Sequence, residues 1–206
     1  ILLSIIFLIY IILGLYLSIT SGIPHDQYHE QLNWTINFDA IKSIFTNEGS
    51  YQNLLNYKDK YHGIAFHYIS QPFQYLSHNF IAELNHVNSD GGYYLSRHPS
   101  IFIFFCISGM FFYLLCLKIS SNKNFSIIST TIYLLYPYLF GHAQINGKDI
   151  PFLTFWIIST YFLFIVIENF YYDKKNFISN ILILSFLTAF LISIRASEFI
   201  PTLFEI

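Results

Sequence analysis

The chain has 206 residues, of which 54% are hydrophobic, 20% aromatic and only 11% charged, with a formal net charge of −2. A charged fraction under half the usual quarter, with apolar runs near twenty residues long, excludes an ordinary soluble domain. With no basic stripe, nucleic acid is not an expected partner. The chain reads as an all-α integral membrane protein with lipid along much of its length.

In chain order, residues 1–20 form the first predicted span. The uncharged run is longer than the apolar core of a signal peptide, so it reads as a span and not a cleaved leader. The chain opens inside this run and stops just after another, so the sequence reads as the N-terminal part of a longer protein. Ser21-Gly22-Ile23-Pro24 ends the span, because Gly and Pro together break a helix. Residues 21–98 then form a polar, aromatic outer loop. Within it, 26–45 is a predicted helix with Leu32, Ile36, Ala40 and Ile44 on one face. Residues 47–60 and 85–92 are predicted loops. Between them, 64–84 puts Ile69, Phe73, Leu76, Phe80 and Leu84 on one face, with Gln74, His78 and Glu83 elsewhere. Further spans are predicted at 100–117, 125–140, 152–171 and 177–194. Cys106 and Cys116 fall on one of these, about 15 Å apart by helical rise and beyond disulfide reach.

Charge bias decides whether 64–84 crosses the membrane. If it does not, Lys118, Lys123, Lys174 and Lys175 share the side of the N-terminus, as cytoplasmic lysines should. The loop 25–98 is acid-rich, with Asp26, Glu30, Asp39, Glu48, Asp59, Glu83 and Asp90 against Lys42, Lys58, Lys60 and Arg97. The expected topology is therefore five spans with the N-terminus inside and 64–84 lying along the outer membrane surface.

Two acids stand directly beside spans. Asp149 lies in the polar island between the last two predicted pairs of spans, with His142, Gln144, Asn146 and Lys148. Pro151 suits the first turn of the helix that follows, so Asp149 sits at a helix mouth, where the dipole alone would favour an acid. Asp26 follows the first span in His25-Asp26-Gln27-Tyr28-His29-Glu30, where it can be a plain N-cap. Asp26, His29 and Glu30 share one helical face and could chelate. With no second ligand pair at metal spacing, no metal or other cofactor is expected. The expected topology puts Asp26 and Asp149 on the same surface, where paired carboxylates can serve as general base and orienter.

The order of these features resembles the N-terminal half of the protein O-mannosyltransferase-like glycosyltransferases of the GT-C fold, which include the aminoarabinose transferase of lipid A. An acid (Asp26) follows the first span, and Tyr61-His62-Gly63-Ile64-Ala65-Phe66-His67 resembles the family's YxPLxx stretch. Ser96-Arg97-His98-Pro99-Ser100 before a span resembles its R-L-P-S motif. Tyr136-Pro137-Tyr138-Leu139-Phe140-Gly141-His142 then leads to Asn146-Gly147-Lys148-Asp149-Ile150-Pro151, where the family has its second acid. The family commonly has Asp-Glu at the first acid. Here it is Asp26-Gln27, so the second carboxylate is lost or moved to Glu30.

The resemblance implies a GT-C-like multi-span bundle in a bacterial inner or cell membrane, with its active face periplasmic or extracellular. It implies sugar transfer, with inversion, from a polyprenyl-phosphate donor to an acceptor lipid, glycan or protein. Asp26 and Asp149 would be the catalytic pair, and Arg97 and Arg195 would hold the donor phosphate. The ordinary alternative for an arginine at a span's end is snorkelling to headgroups. His29, Glu30, His142 and Lys148 form a second rank of candidates. The competing classes are a polytopic transporter, which would show polar or Gly/Pro-broken segments in mid-span, and a non-catalytic assembly subunit.

Overall fold

In the computed structural model the chain is all-helical among the described residues, which are 2–46, 51–60, 62–171 and 176–195. Tyr61 of the YxPLxx-like stretch and the Lys174-Lys175 pair lie outside them.

Helix α1 (Leu2–Thr20) leads to α2 (Gln27–Thr46), the short α3 (Tyr51–Asn56), α4 (Ala65–Asn85) and the short α5 (Ser89–Leu95). The last two short helices fall where loops are predicted. Asn88 starts α5 by accepting the Gly91 N–H at 2.8 Å, a local side-chain cap. Then come α6 (His98–Ser120), α7 (Lys123–Leu135), α8 (Pro137–Ile145), α9 (Asp149–Tyr171) and α10 (Phe177–Ile194).

Among the described residues three stretches are long and apolar enough to cross a membrane: Ser89–Ser120, which contains α6, together with α9 and α10. The apolar part of α1, Ile5–Thr20, is shorter. At 23 residues α9 spans about 35 Å, more than the hydrocarbon thickness. Large apolar side chains such as Ile12, Ile132, Leu182 and Phe186 face outward from three of the helices. So much exposed apolar surface suits lipid and not water.

The predicted span 125–140 is broken. Pro137 has no N–H to continue the ladder, and it drives Tyr136 into the extended region (φ −63°, ψ 117°). The break falls level with the middle of α6, where Leu134 packs on Gly109. There the Tyr10 hydroxyl donates to the Leu134 carbonyl at 2.9 Å, satisfying a group that would otherwise stand open beside lipid. α7 alone, at 13 residues, covers only about 20 Å.

α6 is the centre of the bundle and packs against α1, α7, α8 and α9. Ile101, Phe102 and Phe105 on its first turns are fully buried. Phe102 fills the space left by Gly14 of α1, where a Cβ would lie 1.8 Å from its ring. Polar contacts tie the helices sideways: Thr154 Oγ1 donates to the Phe104 carbonyl at 3.1 Å, and Ser108 shares a 2.6 Å bond with Tyr133.

The two long loop helices turn largely polar faces inward. Of the apolar set predicted along α2, only Ala40 is buried, and Ile44 is exposed. The inward face is instead Gln27, Glu30, Asn33 and Trp34. α4 is long enough to span but not apolar enough to be a candidate. It turns His67, Ser70 and Gln74 inward and leaves Phe73, Leu76, Phe80 and Leu84 outside. A polar face inward and an apolar face outward fit a helix lying in the headgroup region.

Candidate active site

The site is built at the end of the bundle where α1, α8 and α10 finish and α2, α6 and α9 begin. Its foundation is Arg97, fully buried just ahead of α6. Nη1 of Arg97 donates to Glu30 Oε2 at 2.9 Å and Nη2 to Gln31 Oε1 at 2.7 Å, while Nε reaches Gln74 Oε1 at 3.5 Å. Gln74 in turn donates to the Tyr93 carbonyl at 3.0 Å. The guanidinium thus finds acceptors on α2 and α4, which is what allows so strongly solvated a group to be buried. Beside it, His98 links the α1 end to Gln27 through its ring nitrogens, with contacts to Ser21 (2.9 Å), Ser18 (3.2 Å) and Gln27 (3.1 Å).

Glu30 receives a second cation. Lys148 Nζ lies 3.6 Å from its Oε1, so the buried carboxylate bridges α2, the α6 start and the polar island. The island can come this close because residue 147 is glycine. A Cβ there would stand 3.2 Å from Glu30 Oε2. Behind this cluster the His67 ring is buried and stacks parallel on Trp34, with centroids 5.8 Å apart. Burial foremost, then the positive charges of Arg97 and Lys148, hold its pKa well below the ordinary histidine value.

Asn146, one residue past α8, organises the island. Its Oδ1 accepts the N–H groups of Lys148 (3.1 Å) and Asp149 (2.8 Å), capping α9. With the oxygen so engaged, Nδ2 faces the other way and donates to Asp149 Oδ2 and to His142 Nδ1, both at 2.9 Å. The other Asp149 oxygen accepts from Arg195 Nη1 at 2.7 Å. Arg195 is set by the end of α10. Gly63 seats itself on that end, since a Cβ at 63 would lie 2.1 Å from the Ser193 carbonyl oxygen.

These pieces surround a cleft of about 330 Å³. Asp26, Glu30, Lys148, Asp149, His142 and Arg195 all line it, along with Gln27, His62 and Asn146. Asp26 sits one residue ahead of α2, with its carbonyl accepting the Glu30 N–H at 3.0 Å. Its side chain is 88% exposed, and His25 lies 4.0 Å away. The two acids singled out in the sequence therefore line one cleft, in different states. Asp26 is open, whereas both oxygens of Asp149 are engaged.

Two other candidates stand elsewhere. Arg97 lines no part of the cleft and spends its hydrogen bonds on Glu30, Gln31 and Gln74. It does not snorkel either. His29 packs with the rings of Tyr28 and His25 outside the cleft. Among the described residues no group of three or more His, Cys, Asp or Glu could hold a metal ion, and the Asp26–His29–Glu30 face is broken up by the turn of Glu30 toward Arg97. Sequence reasoning passed over Gln27, Gln31 and Gln74, which carry no local signal. It also passed over the capping role of Asn146, which Asn three residues before an acid at a helix start could have suggested.

Compared with protein-family models, with characterised proteins and with solved structures, the chain matches none at a significant level.

Proposed function

We propose that the chain is a membrane glycosyltransferase resembling the protein O-mannosyltransferase-like enzymes. It moves a sugar from a polyprenyl-phosphate donor to a hydroxyl or amine acceptor at the outer membrane face. The observation that carries this reading is the cleft at one end of the apolar bundle, with the open Asp26 carboxylate facing a space that Lys148 and Arg195 also line.

Asp26 takes the proton of the acceptor nucleophile as its heteroatom attacks the anomeric carbon. The carbon–oxygen bond to phosphate breaks on the opposite face, so the anomeric centre inverts. The polyprenyl phosphate leaves with the bonding electrons, and nearby cations stabilise the charge that develops on it. Arg97 is committed to its buried partners, so the phosphate contact falls to Arg195 and Lys148. Both are held by carboxylates within reach of the cleft. Glu30, the residue to which the resemblance would move the second acid, serves as the counter-ion of Arg97 and Lys148.

The test is transfer in proteoliposomes, using a panel of polyprenyl-phosphate hexoses and aminoarabinose with lipid and peptide acceptors. Asn caps a helix almost as well as Asp but cannot take a proton, so Asp26→Asn keeps the fold and removes the base. Transfer should fall by ~10²–10⁴, with donor binding retained. Near-equal transfer by Asp26→Asn would reduce Asp26 to a cap and sink the mechanism. One observation favours a second reading: the helix break at Tyr136-Pro137 lies in mid-bundle, as in transporters. Substrate flux in the same proteoliposomes without sugar transfer would select it.

A further inference from the structure

We propose that Asn146 is a positioning residue that holds His142 in its Nε2-protonated form, so that His142 offers an N–H to an oxygen atom of the ligand in the cleft. The identity of that ligand, a sugar hydroxyl or the departing phosphate, rests on the glycosyl-transfer reading. The positioning itself does not.

The argument is one of hydrogen-bond roles. An amide can be fitted two ways round, but the Asn146 oxygen accepts two backbone N–H groups, from Lys148 at 3.1 Å and Asp149 at 2.8 Å. Neither of those donors could face an NH2, so the amide orientation is decided by the α9 cap. The NH2 therefore faces His142 Nδ1 and Asp149 Oδ2, each at 2.9 Å. A donor against Nδ1 requires Nδ1 to be the unprotonated acceptor. The ring proton of neutral His142 is then on Nε2, the nitrogen left for the cleft that His142 lines. Tyr138 packs on the same ring, with centroids 4.3 Å apart, and restrains its rotation. The same NH2 steadies Asp149 while Arg195 holds the other carboxylate oxygen. One residue thus orients the histidine and one acid of the cleft.

The discriminating variant is Asn146→Asp. Asp caps a helix as well as Asn, so the two backbone N–H groups keep their acceptor, but the atom facing His142 becomes an acceptor too. Imidazole 15N spectra in detergent, with the His142 signal assigned by its loss in His142→Gln, should show an unprotonated Nδ1 in the wild type. In Asn146→Asp, Nδ1 should carry a proton. Asn146→Ser retains a cap without the bridge and should give a mixture of both tautomers. It serves if the Asp variant fails to fold. Sugar transfer, where the wild type has it, should drop by roughly 10²-fold or more in Asn146→Asp, since a wrong histidine tautomer can cost ~10⁴. An unchanged Nδ1 signal in both variants would overturn the proposal. Absence of transfer in the wild type, with the expected Nδ1 signals, would count only against the glycosyltransferase reading.

Discussion

At the scale of single residues, Asp26 stands exposed in the cleft, whereas Arg97 is buried among its partners. Arg97 lies under the cleft as the common partner of α2 and α4. Removing it leaves Glu30 buried with Lys148 alone at 3.6 Å. Arg97→Ala should therefore cost about 3–5 kcal/mol of stability, the usual penalty for orphaning a buried charge. Arg97→Lys should recover only part, because an ammonium cannot reach Glu30, Gln31 and Gln74 at once. Thermal unfolding in detergent measures both. If Arg97→Ala melts like the wild type, the guanidinium is not the support described here. His67 supplies a pH dependence. Its folded pKa is held well below the ordinary value by burial and by Arg97 and Lys148, while in the unfolded chain it titrates near 6.5. Above that pH the ring is neutral in both states and contributes nothing. As pH falls below about 6.5, the unfolded chain gains a proton that the folded chain refuses, so stability declines by up to about 1.4 kcal/mol per pH unit. His67→Phe, which keeps an aromatic ring against Trp34, should flatten that part of the pH–stability curve. An unchanged slope would show that other groups govern it.

At the scale of elements, the site depends on how closely two loops approach helix ends. Gly147 lets the island rest on Glu30, and Gly63 lets its loop rest on the backbone at the end of α10. Gly63→Ala would put a methyl 2.1 Å from the Ser193 carbonyl oxygen, a backbone atom that cannot swing away. The loop or the α10 end must shift, at a cost typical of overpacking, about 1–3 kcal/mol. The shift acts on the segment that carries Arg195. The expected result is a lower melting temperature together with weaker binding of a polyprenyl-phosphate probe. Gly22→Ala, which meets open space, is the control. Equal melting temperatures for the two variants would mean the contact at residue 63 is looser than it stands.

At the scale of the whole molecule, the helices sort their charges by end. Lys118, paired with Glu168, and Lys123 lie at the end opposite the cleft, where α6 finishes and α7 starts. By the positive-inside rule that end is expected to be cytoplasmic, which would turn the cleft outward. In a background lacking Cys106 and Cys116, Tyr28→Cys should react with a membrane-impermeant maleimide on intact cells. Lys123→Cys should react only after permeabilisation. Both positions are exposed in the fold, so a reversed pattern would reverse the orientation and remove the outer-face reaction.

The sequence alone determined the helical class and the bounds of the helix at 177–194, and it singled out two acids that line one cleft. Those follow from local quantities: run length, Gly/Pro breaks and the position of an acid beside a span. It missed the Pro137 break because apolar composition is continuous across it and hides the missing N–H. Whether Glu30, Arg97 and Lys148 would meet depended on contacts 67 and 118 residues apart in the chain, with no periodicity to announce them. Which faces of α2 and α4 turn inward was not legible for a related reason. In lipid the outside of a protein is apolar, so an amphipathic pattern states that a helix has two faces without saying which one packs. Only the tertiary structure decided that the polar faces turn inward, around a buried arginine, and that Asp26 is left open to the cleft.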